Sequence, residues 1–258
     1  MTAKIITFGI SKGGCSKTTT AGVVAHLLSK SQKVLVVDMD SQGNISSLLT
    51  GVLDICNVFE EKTILEAILE KDVRPYIIPV TDFLHVVPSN DFLAQLSVHL
   101  RSGNYSGNPY LALKEALSPV MEDYDYIILD TPPALGDQTI NAVACSDYAV
   151  ILFDGSQFCY YAIQKFIEIC EATRDNLGST VEIAGILFSI VDPRTSDTKA
   201  MMEIIDEEYP NLRFSNLIKR KATTKRLAIY GFEDNSELKD AIEPYKPFMK
   251  ELLERVQN

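Results

Sequence analysis

The sequence predicts an α/β fold: a doubly wound, mostly parallel sheet flanked by helices. Two observations carry that expectation. Short runs that are apolar at consecutive positions recur along the 258 residues, and longer stretches with helical spacing separate them. Strands covered on both faces read as unbroken apolar runs, and strand–helix alternation implies right-handed crossovers between parallel strands. The composition agrees. With 46% hydrophobic and 23% charged residues, the chain is ordinary globular material and can bury a large core without staples.

The elements follow in chain order. Ile5–Ile10 and Val34–Val37 are predicted strands. Thr18–Ser31 between them is a predicted helix, with Val24, Leu27, Leu28 and Ser31 at i, i+3, i+4 and i+7. Helices at Ile64–Lys71 and Phe92–Arg101 bracket a strand at Leu84–Val87. Helix Leu111–Glu122 leads to strand Tyr126–Leu129. Strand Ala149–Phe153 leads through helix Tyr161–Leu177 to strand Ile183–Ile190. Helix Ser196–Glu208, a weaker strand at Phe214–Ile218 and a terminal helix at Tyr245–Val256 complete the series. Ser102–Pro109 is the most linker-like segment, but it is short, so residues 1–258 are expected to form a single domain.

Charge and cysteine usage exclude several classes. Acidic residues outnumber basic ones 35 to 24, so the whole molecule is not a basic nucleic-acid coat. Five cysteines without a CxxC pair argue against a disulfide framework and a zinc ribbon. The three histidines have no paired spacing, which argues against a histidine metal site. No run approaches the roughly 18 apolar residues of a spanning helix, and MTAKIITFGISKGG does not read as a secretory signal. A soluble, cytoplasmic protein is expected.

The chemistry concentrates where three strands end. The first strand runs into Ser11-Lys12-Gly13-Gly14-Cys15-Ser16-Lys17-Thr18-Thr19, where a helical pattern begins. Strand, glycine loop, lysine, hydroxyl and helix in this order suit a nucleotide phosphate. The loop and helix N–H groups and the helix dipole attract the anion, Lys17 neutralises it and Thr18 supplies a Mg²⁺ ligand. The glycine positions of GxxxxGK[ST] fall on Ser11 and Ser16, so the loop is a lysine-led variant, KGGxxKTT. Val34–Asn44 (VLVVDMDSQGN) ends a strand in Asp38 and Asp40, which leave its edge on the same side. One is suited to support the Mg²⁺ hydration shell and the other to orient an attacking water. Tyr126–Pro133 (YIILDTPP) ends a strand in Asp130, in the form of an acid that reaches Mg²⁺ through water. The stiff loop Thr131–Gly136 is a candidate nucleotide-sensing switch.

Together these segments resemble the ParA/Soj family of DNA-partition ATPases, in the deviant Walker A class of P-loop NTPases that includes MinD and the nitrogenase iron protein. The resemblance rests on KGGCSKTTT (Lys12–Thr20), VVDMDSQGN (Val36–Asn44), VVPSN followed by Leu93-Ala94, YDYIILDTPPALG (Tyr124–Gly136), Asn141–Asp147, VDPRT (Val191–Thr195) and LIKR (Leu217–Arg220). It implies ATP and Mg²⁺ as cofactors, held by Lys12, Gly13, Gly14, Cys15, Ser16, Lys17, Thr18 and Thr19, with Thr18, Asp38 and Asp130 around the metal. It makes Lys12, Lys17 and Asp40 catalytic. Lys12 resembles the signature lysine that reaches a dimer partner's phosphates, and Asp40 the residue that positions the hydrolytic water. Segments near Val191–Asp192 and Ile218–Lys219 resemble those that hold adenine. The implied partners are a second copy in an ATP-dependent homodimer, nonspecific double-stranded DNA and a ParB-type centromere-binding protein that stimulates a slow intrinsic hydrolysis. Nucleoid association follows. Cys15-Ser16 departs from the family's usual Val-Gly, and Lys219 from a usual proline. With only 11 residues ahead of Lys12, an N-terminal helix-turn-helix is not expected.

The charge distribution adds a DNA surface to that expectation. Residues 209–232 contain no acid but six basic residues, while the chain as a whole carries −11, which leaves −17 elsewhere. Lys219, Arg220, Lys221, Lys225 and Arg226 cluster within eight positions, and Lys199 adds to them. If a helix opens at Ala222, Lys221 and Lys225 become i, i+4 neighbours. A MinD-like membrane-positioning ATPase is the alternative. It needs a basic amphipathic C-terminal helix, but the stripe Phe248, Met249, Leu252, Leu253 and Val256 is interleaved with Glu251 and Glu254 and is expected to pack on the core. An iron–sulfur reductase would need bridging cysteines, whereas Cys145, Cys159 and Cys170 read as buried packing residues.

Overall fold

The computed structural model describes every residue except 1, 11, 104, 222, 224, 225, 228–230, 233–235 and 258, and only the backbone of 236 and 237. The predicted apolar runs form one sheet. Its strands are β1 (Lys4–Gly9), β2 (Val34–Asp38), β3 (Ile78–Pro79), β4 (Leu84–Val87), β5 (Tyr126–Asp130), β6 (Tyr148–Phe153), β7 (Glu182–Val191) and β8 (Ile218–Lys219). The spatial order is β3-β4-β2-β5-β1-β6-β7-β8. All pairings are parallel except β3 with β4. Every residue of β2 and β5 is buried, as helices on both faces require.

Alternate side chains feed two cores. Ile6, Phe8, Val34, Val36 and Ile128 enter one, and Ile5, Leu35, Val37, Ile127 and Leu129 the other. Helix α1 (Lys17–Leu28) lies in the first, with Ala21, Val23, Val24, Ala25 and Leu28 all buried. The other helices are α2 (Asn44–Thr50), α3 (Ile55–Val58), α4 (Ile64–Glu70), α5 (Leu96–Arg101), α6 (Ala112–Leu117), α7 (Asp137–Cys145), α8 (Gln157–Leu177), α9 (Ser196–Glu208), α10 (Ser236–Ile242) and α11 (Tyr245–Val256).

Several boundaries depart from the sequence reading for local reasons. Helix α1 stops at Leu28, and Ser29 to Ser31 form a closing turn. The predicted Phe92–Arg101 helix divides into a 3₁₀ turn at Asp91–Gln95, started by the Asn90 side chain, and α5. The Leu111–Glu122 helix ends at Leu117, and Ser118–Val120 is 3₁₀, as Pro119 removes a donor. The weak strand near Phe214 shrinks to Ile218–Lys219, because Phe214 is a buried core residue stacked edge-on against Phe248. The C-terminal stripe packs inward as expected: Tyr245, Phe248, Leu252 and Val256 are buried. Among the described residues no helix is long and apolar enough to cross a membrane. Cys145, Cys159 and Cys170 are buried packing residues, and all five cysteines are free thiols.

Candidate functional site

β1 lies between β5 and β6, and the chain leaves its carboxyl end into the loop that becomes α1. In a doubly wound sheet this edge is where ligands bind. Gly13 and Gly14 are exposed, and a Cβ at either would meet nothing within 4 Å, so the loop's backbone is open to a ligand. Gly14 has φ 82°, a left-handed conformation that suits glycine. Ser16 also sits at φ 59°, and its hydroxyl bonds Ser189 on β7. That bond turns the side chain toward β7, a detail hidden from the sequence. Lys17, the first residue of α1, is 7% exposed, and its Nζ donates to the Lys12 carbonyl at 2.8 Å. The lysine is thereby held within the loop it would serve.

The acids come together as predicted. Asp38 and Asp130 are register partners at the ends of β2 and β5, and both are fully buried. Asp38 Oδ1 accepts from the Asp40 N–H at 3.0 Å, and Oδ2 accepts from the Ser46 hydroxyl at 2.6 Å and its N–H at 3.1 Å. Asp38 therefore anchors the start of α2. Burial pushes its pKa up to about 7, against the pull of the Ser46 bonds. Among the described residues, neither Asp130 oxygen has a hydrogen bond of ordinary geometry. Burial first, and then the Asp38 charge, raise Asp130 well above the usual carboxylate range; Thr18 and Lys17 counter this only in part. A buried, unpartnered carboxylate with a hydroxyl and an ammonium beside it fits a divalent cation. The donor set thus favours Thr18 and Asp130 for Mg²⁺, while Asp38 has both oxygens engaged by the protein. Asp40 Oδ1 accepts from the Gln42 N–H at 3.1 Å.

Lys12 occupies an unforeseen position. Its Nζ lies 2.6 Å from both Asp154 Oδ2 and Ser156 Oγ, just beyond the end of β6. Burial is the largest influence and opposes the Lys12 charge, but the bond to Asp154 and the Asp154 charge together outweigh it and hold the ammonium above the ordinary lysine pKa. Burial likewise opposes the Asp154 charge, and Lys12 and Ser156 outweigh it. The signal was present in the sequence: Ile151-Leu152-Phe153-Asp154 repeats the apolar-strand-then-acid pattern that marked Asp38 and Asp130. Ser46, Ser156 and Ser189 carried no pattern of their own.

Ile218 and Lys219 pair with Ser189 and Val191, which brings the two expected adenine segments to one edge of the sheet. Lys219 and Arg220 are exposed there, and Lys199 is exposed in the first turn of α9. The basic cluster is less concentrated than its composition indicates. Lys221 is paired with Asp240 at 2.7 Å, and Arg213 with Asp206 at 2.7 Å. These acids lie outside the acid-free window and fold back onto it. Arg226 is exposed, while Lys225 and the expected helix start at Ala222 lie outside the described residues.

The fold and this edge define a P-loop nucleotide-binding protein whose phosphate loop is led by a lysine. Residues 3–183 match the AAA_31 family, described as an AAA domain. The chain is 30% identical over 231 residues to the chromosome partitioning protein ParA of Myxococcus xanthus, covering 88% of this chain and 79% of that one. It is 29% identical to the sporulation initiation inhibitor protein Soj of Bacillus subtilis, covering 88% of each. A plasmid partition protein from Borrelia burgdorferi, solved bound to AMPPNP, superposes with a TM-score of 0.80 at 28% identity, covering 99% of this chain and 98% of that one. The chain belongs to the AAA_31 family and, within it, to the ParA/Soj-type partition ATPases.

Proposed function

We propose that the protein is an ATP-dependent DNA-partition switch of 258 residues acting as a single domain. The observation that carries this reading is the unpartnered, buried Asp130 carboxylate beside the open Lys12–Thr19 loop. Asp130 faces Lys17 and Thr18 across a gap that a cation and a phosphate would fill.

In this reading Lys12 through Thr19 hold the ATP phosphates with loop and helix N–H groups. Lys17 exchanges the Lys12 carbonyl for phosphate oxygens. Thr18 and Asp130 hold Mg²⁺, with Asp38 fixing the geometry behind them. Bound Mg²⁺ neutralises phosphate charge, the larger part of catalysis in phosphoryl transfer. Asp40 orients the water that attacks the γ-phosphate, giving ADP and phosphate. Lys12 leaves Asp154 and Ser156 and reaches the phosphates of a second copy, so ATP closes a homodimer. The Lys12–Asp154 pair breaks first, and intrinsic hydrolysis is slow, which suits a switch reset by a ParB-type partner. The edges of Val191–Asp192 and Ile218–Lys219 hold the adenine.

The dimer would bind duplex DNA without sequence preference through Lys199, Lys219, Arg220, Lys221, Lys225 and Arg226, as a nucleoid-associated cytoplasmic protein. Pairing two weak patches raises their effective concentration and makes binding depend on ATP. Fluorescence anisotropy with unrelated duplexes tests this. Binding should need ATP, ignore sequence and fall steeply with salt. A Lys199/Lys219/Arg220→Ala variant should still dimerise and should flatten the log–log salt slope by about 2–3. Full DNA affinity in that variant at moderate salt would place the surface elsewhere.

A further inference from the structure

Cys15 and Cys159 form a contact that the nucleotide site does not use. Cys15 sits in the phosphate loop between Gly14 and Ser16, and Cys159 lies in the first turn of α8. Both side chains are fully buried, and their Sγ atoms are 3.4 Å apart. Their other sulfur contacts are to backbone carbonyls at 3.8 Å or more: Gly13 for Cys15 and Leu152 for Cys159. The same turn of α8 follows Ser156, which holds Lys12 together with Asp154. We infer that Cys15 and Cys159 are an oxidisable pair whose disulfide ties the phosphate loop to α8 and shuts the nucleotide site.

The two thiols are unequal. The contact with Cys159 lowers the pKa of Cys15 despite its burial; the Asp154 charge opposes this, and Lys12 and Lys17 support it. The same contact and burial push Cys159 up. This makes Cys15 the nucleophile; its sulfur is buried, so an oxidant reaches it by local opening of the exposed Gly13–Gly14 segment beside it. With a hydroperoxide as oxidant, the Cys15 thiolate attacks one peroxide oxygen. The O–O bond breaks, leaving Cys15 sulfenic acid and a hydroxide that takes the proton released by Cys15. The Cys159 sulfur then attacks the sulfenic sulfur. The S–O bond breaks, and the departing hydroxide takes the Cys159 proton. Two thiols are oxidised to one disulfide and one hydrogen peroxide is reduced to two waters.

The consequence is geometric. A disulfide holds its sulfurs at about 2.05 Å, so the gap must close by roughly 1.3 Å. Closure of that gap pulls Cys15 toward α8, and misplacements of about 1 Å at a positioned site cost as much as ~100-fold in rate, so the phosphate contacts of the same loop are expected to weaken as well. The oxidised protein is therefore expected to bind ATP at least tenfold more weakly. Asp154 lies near both sulfurs and would complete a three-ligand metal site. Its oxygens are already engaged by Lys12 and by Ser156, which favours the disulfide over a thiophilic cation.

The effect on affinity rests on the nucleotide reading; the crosslink does not. The full chain should be treated with hydrogen peroxide, its remaining thiols blocked, and the unreduced digest mapped by mass spectrometry. Binding of a fluorescent ATP analogue is measured in parallel. The proposal expects a Cys15–Cys159 linked peptide, a tenfold or greater loss of affinity, and recovery with dithiothreitol. Cys159→Ala, and Cys159→Ser as a second variant, should bind the analogue like reduced wild type and be indifferent to peroxide. Absence of the linked peptide would overturn the proposal. So would a crosslink that leaves affinity unchanged, or tightly held zinc in native mass spectra of the untreated protein. Failure of the reduced protein to bind the analogue would sink the nucleotide reading and the effect on affinity, while the crosslink is still scored by mass alone.

Discussion

Asp130→Asn separates a residue kept for the fold from one kept for a ligand. Asp130 is fully buried without a hydrogen bond of ordinary geometry, and its register partner across the sheet is Asp38. Register partners on adjacent strands lie about 4.8 Å apart, and two negative charges at ~5 Å repel by roughly 3 kcal/mol at an effective dielectric near 20. Asparagine keeps the shape, removes one charge and offers an N–H donor to Asp38. The nucleotide-free variant should therefore be more stable than wild type by about 1–3 kcal/mol, or roughly 2–12 °C in Tm for a chain of this size. The sign with pH is fixed by the upward pKa displacement of Asp130. A carboxyl whose folded pKa is raised costs nothing below its unfolded pKa, and its penalty grows as pH rises toward the folded value. The gain should thus be larger at pH 8 than at pH 5. Differential scanning calorimetry without nucleotide or Mg²⁺ measures it, and the same scans with Mg·ATP should show the variant losing most of the ligand-induced shift. A nucleotide-free variant less stable than wild type at pH 8 would refute the reasoning.

Three further outcomes are expected. Asp40→Ala removes a water-orienting group but no phosphate contact, so equilibrium dialysis should find ATP bound while phosphate release stops; loss of binding would contradict the role. His26 stacks on Phe232, and its burial, helped by Lys30, lowers its pKa to about 4. Its neutral form contributes stability above about pH 6.5 that is lost as pH falls toward 4. After allowance for its partial exposure this is roughly 1–2 kcal/mol, which urea denaturation of His26→Gln should show as a flatter pH profile. Ser16→Gly and Ser16→Ala both lose the bond to Ser189, but only alanine keeps a Cβ at φ 59°. Glycine should therefore be the more stable variant by about 1 kcal/mol in thermal melts, and alanine matching it would remove the strain argument.

The sheet was legible because its central strands are apolar on both faces and the runs are hard to mistake. What escaped was short or set by distant partners. β3 has two residues, and α2 contains buried Ser46, whose purpose appears only once Asp38 is beside it. The convergence of the Lys12–Thr19 loop with Asp38, Asp40 and Asp130 was legible because strand ends in a parallel sheet meet on one edge. The Lys12 clasp was only half legible: Asp154 ends an apolar run as the other acids do, but its pairing with Lys12, 142 residues away, is set by the fold. The basic cluster was overestimated for the same reason. Asp206 and Asp240 lie outside the counted window, and folding returns them to Arg213 and Lys221.

The central claim is that the Lys12–Thr19 loop holds the phosphates of ATP with Mg²⁺ at Thr18 and Asp130. Isothermal titration calorimetry of ATP into the reduced protein, with Mg²⁺ and with chelator, tests it most directly when wild type and Lys17→Ala are run side by side. The account predicts one site per chain, tighter binding with Mg²⁺, and at least a tenfold loss in Lys17→Ala. Equal affinity in the two proteins, or binding indifferent to Mg²⁺, would contradict it.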